Sequence, residues 1–187
     1  MELRKFSRAL LWIAYPLLIY FGLQFIQPRY LALLLIFALL LRAPQAARTL
    51  LSGFGGAERL MLCVLLGISV LAGVANSETL LRLYPFAMNL GMFALFALSL
   101  KRPPSMIERL ARLEEPDLSA AAVRYTRDLS IIWCVFLSAN ACIALYTALW
   151  TSREIWALYN ALIAYMLMGA LLLGERLLRR KLIARYA

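Results

Sequence analysis

Few residues of this chain have the chemistry of a catalytic or metal centre. The sequence contains no histidine and only three cysteines, which are Cys63, Cys134 and Cys142, with no Cys-x-x-Cys pair. Protein zinc sites are built from cysteine and histidine ligands, and acid–base catalysis generally uses histidines or paired carboxylates. We therefore expect no metal site, no cofactor and no catalytic residue. A lipid-modifying enzyme would need such residues, so it is the least favoured of three hypotheses; the other two, a scaffold and a transporter, are given below.

All three cysteines fall inside apolar stretches of the sequence. Cys134 and Cys142 are eight residues apart, so a disulfide between them within one helix is excluded by distance. Free cysteine behaves as a small apolar residue that is often buried. We predict that the three cysteines pack between helices.

Three asparagines, Asn89, Asn140 and Asn160, are the candidate polar contacts inside apolar stretches. Amides in membrane helices form hydrogen bonds between helices, and intramembrane polar groups also mark the path of a substrate. Asn140 is predicted near the middle of the membrane and Asn160 nearer its outer face, so they need not converge. No charged residue lies mid-span by the predicted boundaries, which disfavours a proton-coupled transporter.

The composition predicts a membrane protein. Hydrophobic residues make up 64% of the 187 residues and charged residues 16%, whereas soluble domains carry about 25% charged residues. We predict an all-α polytopic protein forming a single integral membrane domain over residues 1–187. The net charge of +10 is explained by basic flanks beside anionic headgroups, so nucleic acid is not expected as a partner.

Six apolar stretches have the length expected of transmembrane helices, which need about 20 residues. They cover residues 9–25, 30–47, 60–75, 79–100, 129–150 and 155–173. The first two could instead form one interfacial or re-entrant hairpin. No small-residue cleavage site follows the first stretch, so we expect an uncleaved helix.

The basic residues predict the orientation in the membrane. Seventeen of the twenty lysines and arginines fall on one side of the six predicted spans, and only Arg29, Arg82 and Arg153 fall on the other. The positive-inside rule then places both termini in the cytoplasm. The expected location is the inner membrane of a bacterium.

A short amphipathic helix is predicted at about 105–113, between the fourth and fifth spans. Ser105 and Glu108 have the spacing of a capping box, and Ser119 or Asp117 could begin a second helix that continues into the fifth span. The apolar side of the first helix, with Met106 and Leu110, is expected on the headgroups. It is either a plain connector or a docking surface, whose candidate contacts with a partner or a headgroup are Arg109, Arg112, Arg124 and Arg127.

Two family resemblances follow from specific residues. The hairpin from Asp128 to about Arg180, roughly a third of the chain, resembles the bacterial intracellular septation protein A family through Trp133, Phe136, Asn140, Ala144, Ala148–Trp150 and Trp156. Most of the chain is similar to an uncharacterised family of small bacterial inner-membrane proteins through Met106–Arg109, Tyr125–Arg127 and Trp156–Asn160. Members of that second family tend to be encoded beside fatty-acid-like and aryl-polyene biosynthesis enzymes. The 42–59 loop departs from the septation family.

These observations favour a non-enzymatic accessory or scaffold subunit of the inner membrane, for biogenesis of an envelope or lipid-like product such as an aryl polyene. The expected partners are membrane lipids and other membrane or envelope-biosynthesis proteins, and a homo-oligomer is left open. The alternative is a small transporter or flippase for a hydrophobic product. On the scaffold hypothesis, charge reversal at Arg109 and Arg112 should impair function more than Asn140→Ala or Asn160→Ala.

Overall fold

The computed structural model describes residues 18–50, 57–113 and 115–184, and every regular element in those residues is a helix. The helices are α1 (18–25), α2 (Pro28–Leu50), α3 (Ala57–Val74), α4 (Glu78–Arg82), α5 (Tyr84–Lys101), α6 (Met106–Ala111), α7 (Ala120–Trp150), α8 (Arg153–Leu158) and α9 (Ala164–Ala184). A π-helical turn, Tyr159–Ile163, joins α8 to α9. Most of the first predicted span, residues 9–17, lies outside the described residues.

Three helical segments are long and apolar enough to cross a membrane: Glu78–Lys101, Ala120–Trp150 and Arg153–Leu177. The shortest has 24 residues, about 36 Å at 1.5 Å per residue, against about 30 Å of hydrocarbon. The apolar helices Pro28–Leu39 and Leu60–Val74 are shorter. The all-helical architecture fits the predicted membrane protein, and the count of six crossings stays a prediction.

Serine side chains begin four of the helices. The hydroxyls of Ser77, Ser105, Ser119 and Ser152 each accept a hydrogen bond from a backbone N–H three residues later. This satisfies one of the N–H groups that a helix leaves unpaired at its start. The capping box of Ser105 and Glu108 is confirmed, and Ser119 begins a helix that runs without a break through the fifth predicted span.

Two of the predicted spans are interrupted. Leu83 separates α4 from α5, because Pro85 at the start of α5 has no N–H to donate to the preceding turn. The last span contains the π-helical turn Tyr159–Ile163. Such a turn holds an extra residue and changes the direction in which the side chains point, and it occurs often at functional sites.

Three turns meet at one end of the bundle, which we call the Arg82 end. The Arg29 N–H donates to Asn76 Oδ1 at 3.0 Å, and Arg153 Nη1 donates to the Leu23 carbonyl at 3.5 Å. These bonds join the α1–α2, α3–α4 and α7–α8 turns. Successive long helices therefore alternate in direction, and α6 lies at the opposite end, the α6 end.

The helices pack as neighbours in chain order, with α2 against α3, α3 against α5, and α5 against α7. A Cβ at Gly91 would lie 2.5 Å from Met61 Cγ, so α3 and α5 approach closely where a small residue allows it. The apolar core has one part near the Arg82 end, around Leu81 and Trp156. Its second part lies near α6, around Phe96 and Met106.

The cysteine prediction is correct for one residue only. Cys134 is buried in the second part of the core, whereas Cys63 and Cys142 are exposed on the outer surface. Large apolar side chains such as Val135 and Leu167 are exposed as well. An outer surface of this kind is expected where lipid is the solvent, and a cysteine is tolerated there because it is apolar.

Candidate functional site: an apolar groove between α5, α7 and α9

The helices α5, α7 and α9 enclose a cavity of about 950 Å³, and α6 with residues 115–118 borders it at the α6 end. Its lining is mostly apolar and includes Met88, Met92, Phe96, Trp133 and Met168. Leu110 and Leu172 also line it and are 53% and 51% exposed. The cavity is therefore a groove that opens to the surface of the bundle, and its methionines can adapt to irregular apolar shapes.

All three predicted asparagines line this groove. Asn140 Nδ2 donates to Asn89 Oδ1 at 2.8 Å, and the Tyr159 hydroxyl donates to Asn140 Oδ1 at 2.6 Å. Asn89 Nδ2 donates to the Pro85 carbonyl at 2.8 Å. We call Asn89, Asn140 and Tyr159 the amide chain, and it joins α5, α7 and the π-helical turn.

All three asparagines line one groove, but Asn160 has other hydrogen-bond partners than Asn89 and Asn140, so the expectation that Asn140 and Asn160 need not converge is not contradicted. Asn160 lies in the π-helical turn, where Nδ2 donates to the Trp156 carbonyl at 2.8 Å and to Thr147 Oγ1 at 3.3 Å. Its neighbour Tyr159 reaches the amide chain.

A second group of polar residues lies at the α6 end of the groove. Glu175 Oε1 accepts a hydrogen bond from the Tyr125 hydroxyl at 2.8 Å and from Arg179 Nε at 2.8 Å. The Glu175 side chain is 10% exposed and the Arg179 side chain 56%. We call Tyr125, Glu175 and Arg179 the Glu175 cluster; Glu115 lines the same part of the groove.

Sequence reasoning missed the Glu175 cluster. Glu175 and Arg179 have the i,i+4 spacing that forms ion pairs on a helix, so this pair could have been found. Tyr125 lies fifty residues earlier, and nothing in its local pattern predicts this contact. The cluster and the amide chain are separated along α7 by the fifteen residues from Tyr125 to Asn140, about 22 Å of helix.

The predicted docking helix is held by the bundle. The Met106 N–H donates to Ser99 Oγ at 2.8 Å, and the Ile107 N–H donates to Ser130 Oγ at 3.3 Å. Met106 is buried with Phe96 in the second part of the core. The expectation that Met106 rests on the headgroups is therefore wrong, because serines on α5 and α7 bind the start of α6.

The predicted arginine surface divides into two parts. Arg112 donates to Glu108 Oε1 at 2.8 Å and to the Pro116 carbonyl at 2.8 Å, and Arg109 Nε donates to the Pro104 carbonyl at 2.8 Å. Glu108 is buried. These two arginines thus stabilise α6 and its flanking turns. Arg124 and Arg127 are exposed on α7, and none of the four arginines lines the groove.

The Arg82 end carries a polar cluster that the sequence did not predict. Arg82 Nη2 donates to the Thr147 and Thr151 carbonyls at 2.7 and 2.6 Å, and its guanidinium lies 5.9 Å from the Trp156 ring centroid. Arg153 Nε donates to Glu78 Oε1 at 2.7 Å. Arg82 and Arg153 therefore have partners within the protein. They are two of the three basic residues predicted on the sparsely charged side.

No family model, curated protein or solved structure matches this chain. The long apolar wall of the groove suits a hydrocarbon chain, and the polar groups of the groove lie at two depths about 22 Å apart. A site with a few convergent polar groups on an apolar wall is the usual form of a small-molecule site.

Proposed function

We propose that this chain is a non-enzymatic inner-membrane protein that binds one long-chain, lipid-like molecule in the groove between α5, α7 and α9. The observation that carries the proposal is the cavity of about 950 Å³ with an apolar wall and with Asn89, Asn140 and Asn160 on its lining. Small-molecule sites have volumes of about 300–1,000 Å³. A protein that is itself dissolved in lipid and keeps such a groove has a ready supply of long-chain ligands.

We propose a chain molecule as the occupant, because the polar groups of the groove lie at two depths about 22 Å apart along α7 with an apolar wall between them. A hydrocarbon chain is thinner than a helix and can lie along the apolar wall from one polar group to the other.

In the cell, we propose that the chain serves as an accessory subunit that holds a lipid-like product for the proteins that make or move it. The resemblance to proteins encoded beside aryl-polyene enzymes supports the class of product. The transporter or flippase hypothesis is a variant of the same proposal, because the groove opens at the side of the bundle near Leu172 and its ligand could enter from the bilayer.

The scaffold hypothesis remains as a second candidate, and one observation favours it. Arg124 and Arg127 lie on the first turns of α7 and are exposed. They are positioned for contact with an acidic partner or with anionic headgroups. Arg109 and Arg112 no longer support this hypothesis specifically, because their hydrogen bonds stabilise the α6 region.

The proposal includes six crossings with both termini in the cytoplasm of a bacterial cell. The meeting of three turns at the Arg82 end supports it, as does the excess of basic residues on the opposite side. Reporter fusions after Arg48, Ser119 and Ala187 should give cytoplasmic signals, and fusions near Pro28, Ser77 and Ser152 periplasmic ones. A periplasmic signal at Ala187 would overturn the six-helix count.

The binding proposal can be tested with two neighbouring leucines of α9. Leu172 lines the groove, whereas Leu173 is exposed and does not line it. The wild-type protein should be purified in mild detergent, and its co-purifying lipids should be extracted and quantified by mass spectrometry. Leu172→Trp should lower the amount of bound molecule at least severalfold, because the indole fills the groove, and Leu173→Trp should leave it unchanged.

Equal loss in both variants, or no stoichiometric long-chain molecule in the wild type, would contradict the binding proposal. The scaffold hypothesis would then gain weight. Charge reversal at Arg124 and Arg127, compared at equal membrane abundance, would be its next test.

A further inference from the structure

Among the described residues, the charged side chains that line the groove lie at its α6 end, and both signs are present. They are the carboxylates of Glu115 and Glu175 and the guanidinium of Arg179. Glu175 and Arg179 are in direct contact at 2.8 Å, so opposite charges stand side by side at the same depth. This end of the groove therefore has the charge pattern of a site for a polar headgroup.

We infer that the groove selects a zwitterionic lipid whose headgroup carries a phosphate and a primary ammonium. The inference rests on the proposed function and names its ligand class. The phosphate lies against Arg179 and the ammonium against the carboxylates of Glu175 and Glu115. The hydrocarbon chain follows the apolar wall towards the amide chain.

The position of the cluster suits a headgroup. Glu175 and Arg179 follow the last predicted span, 155–173, and Tyr125 precedes the span 129–150. These residues are therefore predicted at the boundary between hydrocarbon and headgroups, where charged side chains are stable. A ligand anchored there has about 22 Å of groove below its headgroup, measured from Tyr125 to Asn140 along α7.

The signs of the charges select among headgroups. A headgroup with only negative charge would meet the guanidinium and two carboxylates, so its attraction to Arg179 is opposed by Glu115 and Glu175. A headgroup with only positive charge would be repelled by Arg179. A zwitterion satisfies both signs, since Arg binds phosphate through directed N–H bonds and a carboxylate accepts charge-assisted bonds from an ammonium.

The hydrogen-bond geometry distinguishes ethanolamine from choline. A primary ammonium has three N–H donors for carboxylate oxygens, whereas a quaternary ammonium has none and is usually bound over the faces of aromatic rings. In the Glu175 cluster the aromatic residue Tyr125 directs its hydroxyl to Glu175 at 2.8 Å. The Glu175 carboxylate, with only 10% of its side chain exposed, is the strongest acceptor in the cluster because it is shielded from water.

The experiment compares three phospholipids with identical acyl chains and phosphoethanolamine, phosphocholine or phosphoglycerol headgroups. Each is titrated into delipidated wild-type protein in neutral detergent, and binding is measured by native mass spectrometry. We expect the phosphoethanolamine lipid to bind about tenfold more tightly than the other two, which corresponds to one charge-assisted hydrogen bond. Glu175→Gln should reduce its advantage over the phosphocholine lipid to near unity.

The matched control is Arg176→Gln, since Arg176 is exposed on the same helix and does not line the groove. This variant should keep the wild-type preference. Equal affinity for the three lipids, or preference for phosphoglycerol, would overturn the headgroup inference. If those lipids still lose affinity in Leu172→Trp and keep it in Leu173→Trp, the proposed function survives that failure; if no lipid binds, both fail.

Discussion

The two ends of the groove-forming helices carry clusters of the same residue types with different roles. The Arg82 end combines Arg82, Glu78 and Trp156, and the α6 end combines Arg179, Glu175 and Tyr125. The Arg82 side chain is 11% exposed and binds backbone carbonyls of α7 and its terminal turn. The Arg179 side chain is 56% exposed, and it donates to the side chain of Glu175 rather than to backbone carbonyls.

The different exposure of Arg82 and Arg179 decides what each cluster does. Removing one partner from a shielded charge cluster leaves polar groups without hydrogen bonds, which is costly, whereas exposed ion pairs contribute little to stability. The Arg82 cluster therefore stabilises the fold by joining α4 to the end of α7. Arg179 is exposed and contributes little to the fold, whereas the shielded Glu175 carboxylate carries a charge that can respond to a ligand.

The largest expected effect is that of Arg82→Gln. The substitution removes the donor shared by the Thr147 and Thr151 carbonyls, and we expect the free energy of unfolding to fall by about 2–3 kcal/mol. Chemical unfolding in mixed micelles measures this change. Arg29→Gln, at an exposed arginine of the same end, is the control and should change stability by less than about 0.5 kcal/mol. Similar losses in both variants would show that the Arg82 cluster has no special role.

A smaller effect is expected midway between the two ends, at Asn140. Asn140→Ala removes the central member of the amide chain, and hydrogen bonds between membrane helices contribute about 0.6–2 kcal/mol each. We expect a loss of about 1 kcal/mol in the same unfolding experiment, together with weaker lipid binding because Asn140 lines the groove.

Ser138→Ala provides the comparison for Asn140→Ala. The Ser138 hydroxyl donates to the Val135 carbonyl of its own helix at 3.0 Å, so it joins no two helices. Ser138→Ala should therefore have little effect on the free energy of unfolding or on lipid binding. An unchanged Asn140→Ala protein would mean that the amide chain does not hold α5, α7 and the π-helical turn together.

The smallest effect on stability is expected for Arg179→Gln. The Arg179 side chain is 56% exposed and Glu175 keeps its hydrogen bond from Tyr125 in this variant, so we expect the free energy of unfolding to fall by about 1 kcal/mol or less. The same variant should nevertheless weaken binding of a phosphate-bearing lipid. A loss of stability as large as that of Arg82→Gln would erase the distinction between the two ends.

The sequence predicts part of the local structure. The apolar stretches, the cap at Ser119 and the capping box at Ser105 correspond to helices in the described residues, because caps depend on neighbours within four residues, but the interruptions at Leu83 and at Tyr159–Ile163 were not predicted. The groove could not be predicted, because it depends on which helices are adjacent and on the register beyond Tyr159. The burial of Arg82 also depends on a contact between residues 65 positions apart.

The structure also changes the meaning of the predicted ranking, in which charge reversal at Arg109 and Arg112 impairs function more than alanine at Asn140. Charge reversal at Arg112 would place a negative group beside the buried Glu108, so it would damage the α6 region whatever the protein binds. A loss of function in that variant no longer distinguishes a scaffold from a lipid-binding protein. Arg124 and Arg127 are the better test of a docking surface, because both are exposed.

The most direct test of the central claim, that a hydrocarbon chain lies in the groove, is photolabelling in a reconstituted bilayer. A phospholipid with a diazirine in the middle of its acyl chain is activated, and the labelled residues are identified by mass spectrometry. We predict labels on Met92, Trp133 and Met168, which line the groove. Labels confined to outward-facing residues such as Val135 and Leu167, with the groove residues unlabelled, would contradict the account.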